Sequence, residues 1–401
     1  MEIAHIATGH SSRVALHLRR IMLISSCISS MLAISTPASA QMPEATPPSS
    51  ATTAIAFSNQ MSPGWNLGNA LEALAPSGKA TTSQEGAWGN PPVTAALMKA
   101  VYAAGFRSVR IPVSWSQYTT GDNQISDAWF KRVEQVVGFA RKANLYVIIN
   151  VHWDGGWLQP TNANRDAANA KLASFWTQIG TRFRDYDDHL LFAGINEIAV
   201  KDVYTAPTEE NCAVQNGFNQ VFVDTVRATG GGNAFRYLVV QGYNTNIDHT
   251  VGCNATLPRD IASDKLMMEV HFYDPYDFTL NTSSKIWQWG VITTDKSAAQ
   301  PWADEKHVDI QFEKMKTLFV DKGVPVLLGE YSASLRAEYD PTGKYRNYWD
   351  AYVTRSARKH GMVPYYWDSG YVANHQSGLF DRARSTKAFP GLIAAITDLG
   401  K

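Results

Sequence analysis

The chain has 401 residues, 45% of them hydrophobic and 18% charged, which is the balance of a globular protein with one large domain or two ordinary ones. Its formal net charge is zero, so there is no basic stripe for nucleic acid and no acidic tract for storing cations. The 12 Trp and 17 Tyr stand out. Flat aromatic faces suit sugar rings, although a large core would bury most of them.

From the N-terminus, Arg19 and Arg20 precede an apolar run, Ile21 to Ile34, that leads to Ala38-Ser39-Ala40. This is the layout of a secretory signal over residues 1–40, cleaved before Gln41, and it predicts export to the periplasm or the exterior. The run is short and broken by serines, so no permanent membrane span is expected. Residues 41–55, rich in Pro, Ser, Ala and Thr from Pro43 to Thr53, read as a flexible leader to a domain over 56–401. Cleavage leaves Cys212 and Cys253, for which a disulfide is expected, two buried thiols being the alternative.

Strand-like apolar runs then alternate with helical stretches. The predicted strands are Gly64–Leu67, Val109–Pro112, Tyr146–Val151, Leu191–Ile195, Tyr237–Val240, Leu266–Val270, Val326–Leu328 and Tyr365–Trp367. They are continuously apolar, as parallel strands covered by helices are. Phe130, Val133, Val136, Val137 and Ala140 share one face of a helix that starts near Ser126. Phe312, Met315, Leu318 and Phe319 do the same ahead of a stop at Gly323, and Pro91-Pro92 suit the first turn of a helix leading to Gly105. Eight such units in one domain predict an α/β fold, a single (β/α)8 TIM barrel. A doubly wound open sheet is the alternative, weakened because no glycine-rich phosphate loop follows the first strand.

Barrels carry their chemistry at the carboxyl ends of the strands. Read to their ends, these strands deliver Arg110, His152-Trp153, Asn196-Glu197, His271-Phe272-Tyr273, Gly329-Glu330 and Trp367-Asp368 to one mouth. Singly each is as well explained by a structural hydrogen bond or ion pair; their joint placement is the signal. Two carboxyls across a barrel mouth suit glycoside hydrolysis, and a retaining enzyme sets acid and nucleophile about 5–5.5 Å apart. The acid is expected to be partly buried, which raises its pKa. The nucleophile must stay ionised, and Arg110 and Tyr273 are placed to hold its charge.

Several strings, in order, resemble glycoside hydrolase family 5, most of all its subfamily 4 branch of endo-β-glucanases and xyloglucanases. They are Gly64-Trp-Asn-Leu-Gly-Asn69, Trp88-Gly-Asn-Pro91, Val109-Arg-Ile-Pro-Val-Ser-Trp115, Val147-Ile-Ile-Asn-Val-His152, Phe183-Arg-Asp-Tyr-Asp-Asp-His189, Ile195-Asn-Glu197, Val270-His-Phe-Tyr273, Leu328-Gly-Glu330 and Gly378-Leu-Phe-Asp381. The resemblance implies that Glu197 is the acid/base and Glu330 the nucleophile. It implies that Asn196 bonds the sugar 2-hydroxyl, Arg110 and Tyr273 support Glu330, His271 orients Glu197, His152 positions the sugar or the surroundings of the nucleophile, and Trp367 forms the floor beneath the sugar. Asn66 and Trp153 join the expected substrate-binding or supporting set. The implied substrate is a β-glucan polysaccharide, cellulose-type, mixed-linkage or xyloglucan, cut by a monomer that needs no metal or organic cofactor.

The sequence departs from the family pattern at Ile198, where proline usually follows Asn-Glu, at Ala193, often glutamate, and at Trp153, often histidine. The first two put the loop after Glu197, and so the leaving-group subsites, in question. Trp88, Trp115, Trp157 and Tyr243 are further stacking candidates, core packing or loop anchoring being equally open to each. Asp185, Asp187 and Asp188 resemble a calcium-style run but read better as a polar turn before the fourth strand. The rival functions are a β-mannanase on the same scaffold, a non-catalytic β-glycan-binding barrel and a metal-dependent hydrolase. The last lacks a His-x-His after the first strand and any His-Glu-x-x-His.

Overall fold

The computed structural model describes residues 53–398 apart from 77, 81 and 204. The predicted signal and nearly all of the leader lie outside the described residues. Helix α1 (Ala54–Gln60) begins two residues ahead of the domain boundary expected at 56. Eight parallel strands follow: β1 (Gly64–Leu67), β2 (Ser108–Ile111), β3 (Tyr146–Asn150), β4 (Leu190–Ala193), β5 (Leu238–Asn246), β6 (Leu266–His271), β7 (Val326–Tyr331) and β8 (Met362–Asp368). Each pairs with the next, and β1 also pairs with β8, which closes the barrel. The remaining helices run α2 (Ala95–Ala103), α3 (Asp127–Lys142), α4 (Asn162–Phe183), α5 (Glu209–Ala228), α6 (Ile247–Gly252), α7 (Tyr276–Thr279), α8 (Glu305–Leu318), α9 (Lys344–Lys359) and α10 (Pro390–Thr397). The doubly wound alternative is thereby excluded.

Local chemistry sets the helix ends. Ser126 caps α3, its hydroxyl accepting from the Trp129 amide at 3.3 Å. Gly323 ends the turn after α8 with φ 85°, a left-handed conformation that favours glycine. Pro91 and Pro92 do not open α2 as predicted. Thr94 caps it by accepting from the Leu97 amide at 3.2 Å, so the prolines lie in the segment before it. Strand β5 runs six residues past the predicted end at Val240, with a register shift between Gln241 and Asn246.

Two packed zones support the mouth. Between strands and helices, Phe175, Trp176, Phe222, Phe312 and Trp349 belong to one continuous buried cluster. Inside the barrel, Ile148, Leu191, Ala193, Val239, Met267, Leu327 and Val363 pack against Ala54, Phe57 and Met61, so α1 plugs the amino-terminal end. Above this apolar plug the interior turns polar, with Asn66, Arg110, Asn150, Gln241 and Glu269 all buried. That polar layer is the floor of the site. Cys212 in α5 and Cys253 after α6 form a disulfide. The acidic run lies in the turn between α4 and β4, where Asp187 pairs with Arg141. Among the described residues, no helix is long and apolar enough to cross a membrane.

Candidate active site

Arg110 stands at the centre, fully buried on β2. Its Nη1 donates to Glu330 Oε1 at 2.9 Å and to Asn66 Oδ1 at 3.0 Å, and Nη2 donates to Asn196 Oδ1 at 2.6 Å. Its Nε lies 2.8 Å from Glu269 Oε1. A planar guanidinium fork suits this multidirectional pairing, whereas a point-like ammonium does not. Burial opposes its charge, yet Glu269 and Glu330 hold its pKa above the ordinary arginine value. Asn66 is fixed in turn, donating through Nδ2 to the Gly329 carbonyl at 2.8 Å, and so ties β1 to the strand that carries Glu330.

Glu330 also accepts from the Tyr273 hydroxyl at 3.0 Å. Burial pushes the Glu330 carboxyl up from its ordinary value, with the positive charges of His271 and Arg110 pulling the other way. Burial likewise drives the Tyr273 phenol well above its usual range, so it stays a donor. The two carboxyls differ in burial. The Glu197 side chain is 42% exposed and that of Glu330 7%. The reason is position: Glu197 lies beyond the end of β4, while Glu330 lies within β7.

His271 bridges the two sides. Its Nδ1 is 2.7 Å from Glu197 Oε1 and 3.7 Å from Glu330 Oε2, and its Nε2 is 3.2 Å from Glu269 Oε1. Burial works against its charge, but Glu330, Glu197 and Glu269 push its pKa up to about 9. Glu269 is pulled the other way: burial alone would raise it, and Arg110 and His271 bring it down to about 2. Across the mouth, Asn150 Nδ2 donates to His152 Nδ1 at 3.1 Å. Burial holds His152 well below the ordinary histidine value, so it is neutral. Its ring stacks on Trp367 at 5.9 Å and 9° between planes.

A cavity of about 700 Å³ opens beside Glu197, walled by Trp153, Gln159, Ile198, Tyr243, Asn246 and His249. Trp153 offers it a face that is 56% exposed. Ile198 is buried in the core, and its carbonyl accepts from the Asn244 amide at 3.1 Å, which docks the loop after Glu197 on the extension of β5. Of the other aromatic candidates, Trp115 is fully buried and bonds the Asn150 carbonyl, so it is core and not a platform. Trp157 anchors its loop through Asp154 at 2.8 Å. Tyr243 is nearly buried in the cavity wall, and Trp88 is 42% exposed.

Glu269, Gln241, Asn150 and Asp154 escaped the sequence reading. Glu269 had a signal, an acidic residue inside the apolar run Leu266–Val270. Asp154 caps the Trp115 and Ser116 amides at 2.7 and 2.8 Å, a role no motif announces. Ala193 lies in the apolar plug, and the second carboxylate beside Arg110 is that of Glu269 on β6. Donor atoms of Glu197, His271 and Glu330 lie within 4.8 Å of one another, a spacing a metal ion could use. Here Arg110 and charged His271 already supply the positive charge such an ion would bring.

Residues 73–372 match the model of cellulase, glycosyl hydrolase family 5. The chain is 42% identical over 358 residues to a xyloglucan-specific endo-β-1,4-glucanase of Bacteroides ovatus, covering 86% of this chain and 70% of that protein. A Bacteroides ovatus family 5 xyloglucanase solved with a XXXG heptasaccharide superposes with a TM-score of 0.81 at 41% identity, over 87% of this chain and 76% of that one. A subfamily 4 broad-specificity endoglucanase from Bacteroides salanitronis gives a TM-score of 0.80 at 40% identity, over 87% of this chain and 95% of that one. The chain belongs to glycosyl hydrolase family 5.

Proposed function

We propose that this glycoside hydrolase is a retaining endo-β-1,4-glucanase acting on β-glucans, xyloglucan included, by double displacement with Glu330 and Glu197. The observation that carries this reading is the closeness of the pair: one carboxylate oxygen of each lies within 4.8 Å of the other. Retaining enzymes place their carboxyls about 5–5.5 Å apart and inverting enzymes about 6.5–9.5 Å, to leave room for water.

In the first step Glu330 attacks the anomeric carbon while Glu197 protonates the departing oxygen. In the second, water activated by ionised Glu197 releases the sugar with retained configuration. Arg110 and Tyr273 hold Glu330 as an anion in the direction of attack. Asn196, locked by Arg110, faces the 2-hydroxyl, and the Trp367–His152 stack is the floor of the cleaved sugar's subsite. The cavity beside Glu197 then takes the leaving group, because the acid must sit next to the oxygen that departs. Every step uses groups of this chain alone.

The glucan assignment follows the activities of the relatives, and no observation favours mannan or a non-catalytic role. Export by a signal over residues 1–40, ahead of a leader and a monomeric catalytic domain, belongs to the same proposal. The Cys212–Cys253 disulfide supports it, because such bonds persist in oxidising compartments.

The test is reducing-end release from carboxymethylcellulose, mixed-linkage glucan, xyloglucan and mannan by the mature protein and by Glu197→Gln and Glu330→Gln. Release from a glucan by the wild type, lost in both variants and accompanied by a β-anomeric first product, is expected. Silence on every glucan, or variants as active as the wild type, overturns the reading.

A further inference from the structure

The double displacement makes no demand on Glu269, yet the barrel is built around it. Its carboxylate is fully buried on β6 and in contact on every side. Oε1 meets Arg110 Nε at 2.8 Å and His271 Nε2 at 3.2 Å, and Oε2 accepts from Gln241 Nε2 at 2.6 Å. Gln241 is itself held, its Oε1 accepting from the Ile195 amide at 3.0 Å, two residues before Glu197. On the remaining side is Gly329, the residue before the nucleophile. A Cβ there would stand 2.1 Å from Glu269 Oε1, so the carboxylate occupies the space that the missing side chain leaves. The groups that face the Glu269–His271 pair are Arg110 from β2, His152 from beyond β3, Glu197 from the end of β4, Gln241 from β5, Glu330 from β7 and Tyr365 from β8.

A neutral imidazole has one N–H, whereas this ring has carboxylates at both nitrogens. With its Nε2 hydrogen given to Glu269, it meets an ionised Glu197 through Nδ1 only with a second hydrogen, and a bare Nδ1 would have to take the proton of Glu197 instead. We infer that Glu269 is a positioning residue that keeps His271 doubly protonated between Glu197 and Glu330 and locks that charge to Arg110, an inference that rests on the glucanase reading of the site. The consequence concerns the acid proton. A neutral His271 with a bare Nδ1 would accept the proton of Glu197 and turn it away from the leaving oxygen. A charged His271 can only donate to Glu197 Oε1, which leaves the catalytic proton on Oε2. The upward push on His271 by its carboxylate neighbours agrees with this geometry.

The measurement is ¹⁵N NMR of histidine-labelled enzyme, with the His271 ring signals assigned by their loss in His271→Asn. Two protonated ring nitrogens are expected in the resting wild type at about pH 8, against an ordinary histidine value near 6.5. In Glu269→Gln, of nearly the same shape, one nitrogen loses its proton. The alkaline limb of its kcat/KM profile moves to lower pH by about a unit or more, and kcat falls on the order of 10²-fold. A merely structural role would lower the yield or the melting temperature and leave both the limb and the ring signals in place. A bare ring nitrogen in the wild type at that pH overturns the inference without reference to any variant. So does a Glu269→Gln enzyme that keeps both protons and the wild-type limb. Failure of the glucanase reading is a separate result, full hydrolysis by Glu330→Gln.

Discussion

Arg110 Nη1 and Glu330 Oε1 meet at 2.9 Å with side-chain exposures of 0% and 7%, and the same guanidinium touches Glu269 through Nε. One cation therefore compensates two buried anions, one assigned to the chemistry and one to its support. Replacing Arg110 by Met leaves both carboxylates buried without it, a break that costs about 3–5 kcal/mol. The variant is expected to melt well below the wild type and to lose hydrolysis. Adding Glu269→Gln removes one stranded charge, so the double variant should lose less stability than the two single losses added. Thermal unfolding of the four proteins reads this directly, and simple additivity would mean the two side chains act independently.

Tyr273 gives Glu330 its second donor, at 3.0 Å. A hydrogen bond to the ionised carboxyl favours that form, so its removal in Tyr273→Phe lets burial push Glu330 further up. The proposed reaction needs Glu330 ionised, so activity is expected to be lost as pH falls through its pKa. Raising that pKa moves the acidic limb of the kcat/KM profile to higher pH. A bond to a charged group is worth about 1.5–3 kcal/mol, which corresponds to a rate loss of roughly 10- to 100-fold. Profiles of the two enzymes on one soluble glucan check it; a fall in rate with an unmoved acidic limb would mean that Tyr273 only fills space.

What the sequence disclosed and what it hid divide along a physical line. The barrel was legible because buried parallel strands leave continuous apolar runs. Glu197, Glu330, Arg110 and His271 were legible because each stands at or near the end of such a run. Glu269 was hidden because its meaning depends on which strand faces which across the barrel, and no local pattern carries that. The exposure of Glu197 was hidden because β4 stops at Ala193, short of the predicted Ile195, and leaves Glu197 beyond its end. Trp115 and Trp153, equal as letters, became opposites in the fold. One is sealed behind β3 and the other open to the cavity.

The disulfide ties α5 to the residue after α6, across 41 residues of sequence. These elements follow the two cavity walls beside Glu197, the loop from Ile198 and the extension of β5 with Tyr243 and Asn246. Opening a loop of this size costs about 2–4 kcal/mol, chiefly by freeing the unfolded chain. A Cys212→Ser, Cys253→Ser double variant should melt lower in the absence of reductant and match the reduced wild type in its presence. A raised KM for polymer, with kcat for a small activated glucoside held, would place the effect in the cavity walls. Equal melting temperatures with and without reductant would mean that the bridge carries no stability.

Trp153 and Trp115 give the cleanest separation of binding from folding. Trp153 is 56% exposed and lines the cavity beside Glu197, so its ring has little to lose from the fold when removed. Trp153→Ala should leave the melting temperature nearly unchanged and raise KM for long glucans several-fold. A well-placed contact between two aromatic rings is worth about 0.5–1.5 kcal/mol beyond the area buried, and a ring stacked on a sugar is taken to be of the same order. Trp115 is fully buried and donates to the Asn150 carbonyl at 2.8 Å, beneath the residue that orients His152. Trp115→Ala opens a cavity in that packing, for which a large buried aromatic costs about 3–5 kcal/mol. Its loss should therefore appear first as a lower melting temperature, with activity falling as the fold loosens. Thermal unfolding and steady-state kinetics on the same two preparations decide the matter. A destabilised Trp153→Ala with unchanged KM would make Trp153 a structural residue and close the cavity as the leaving-group site.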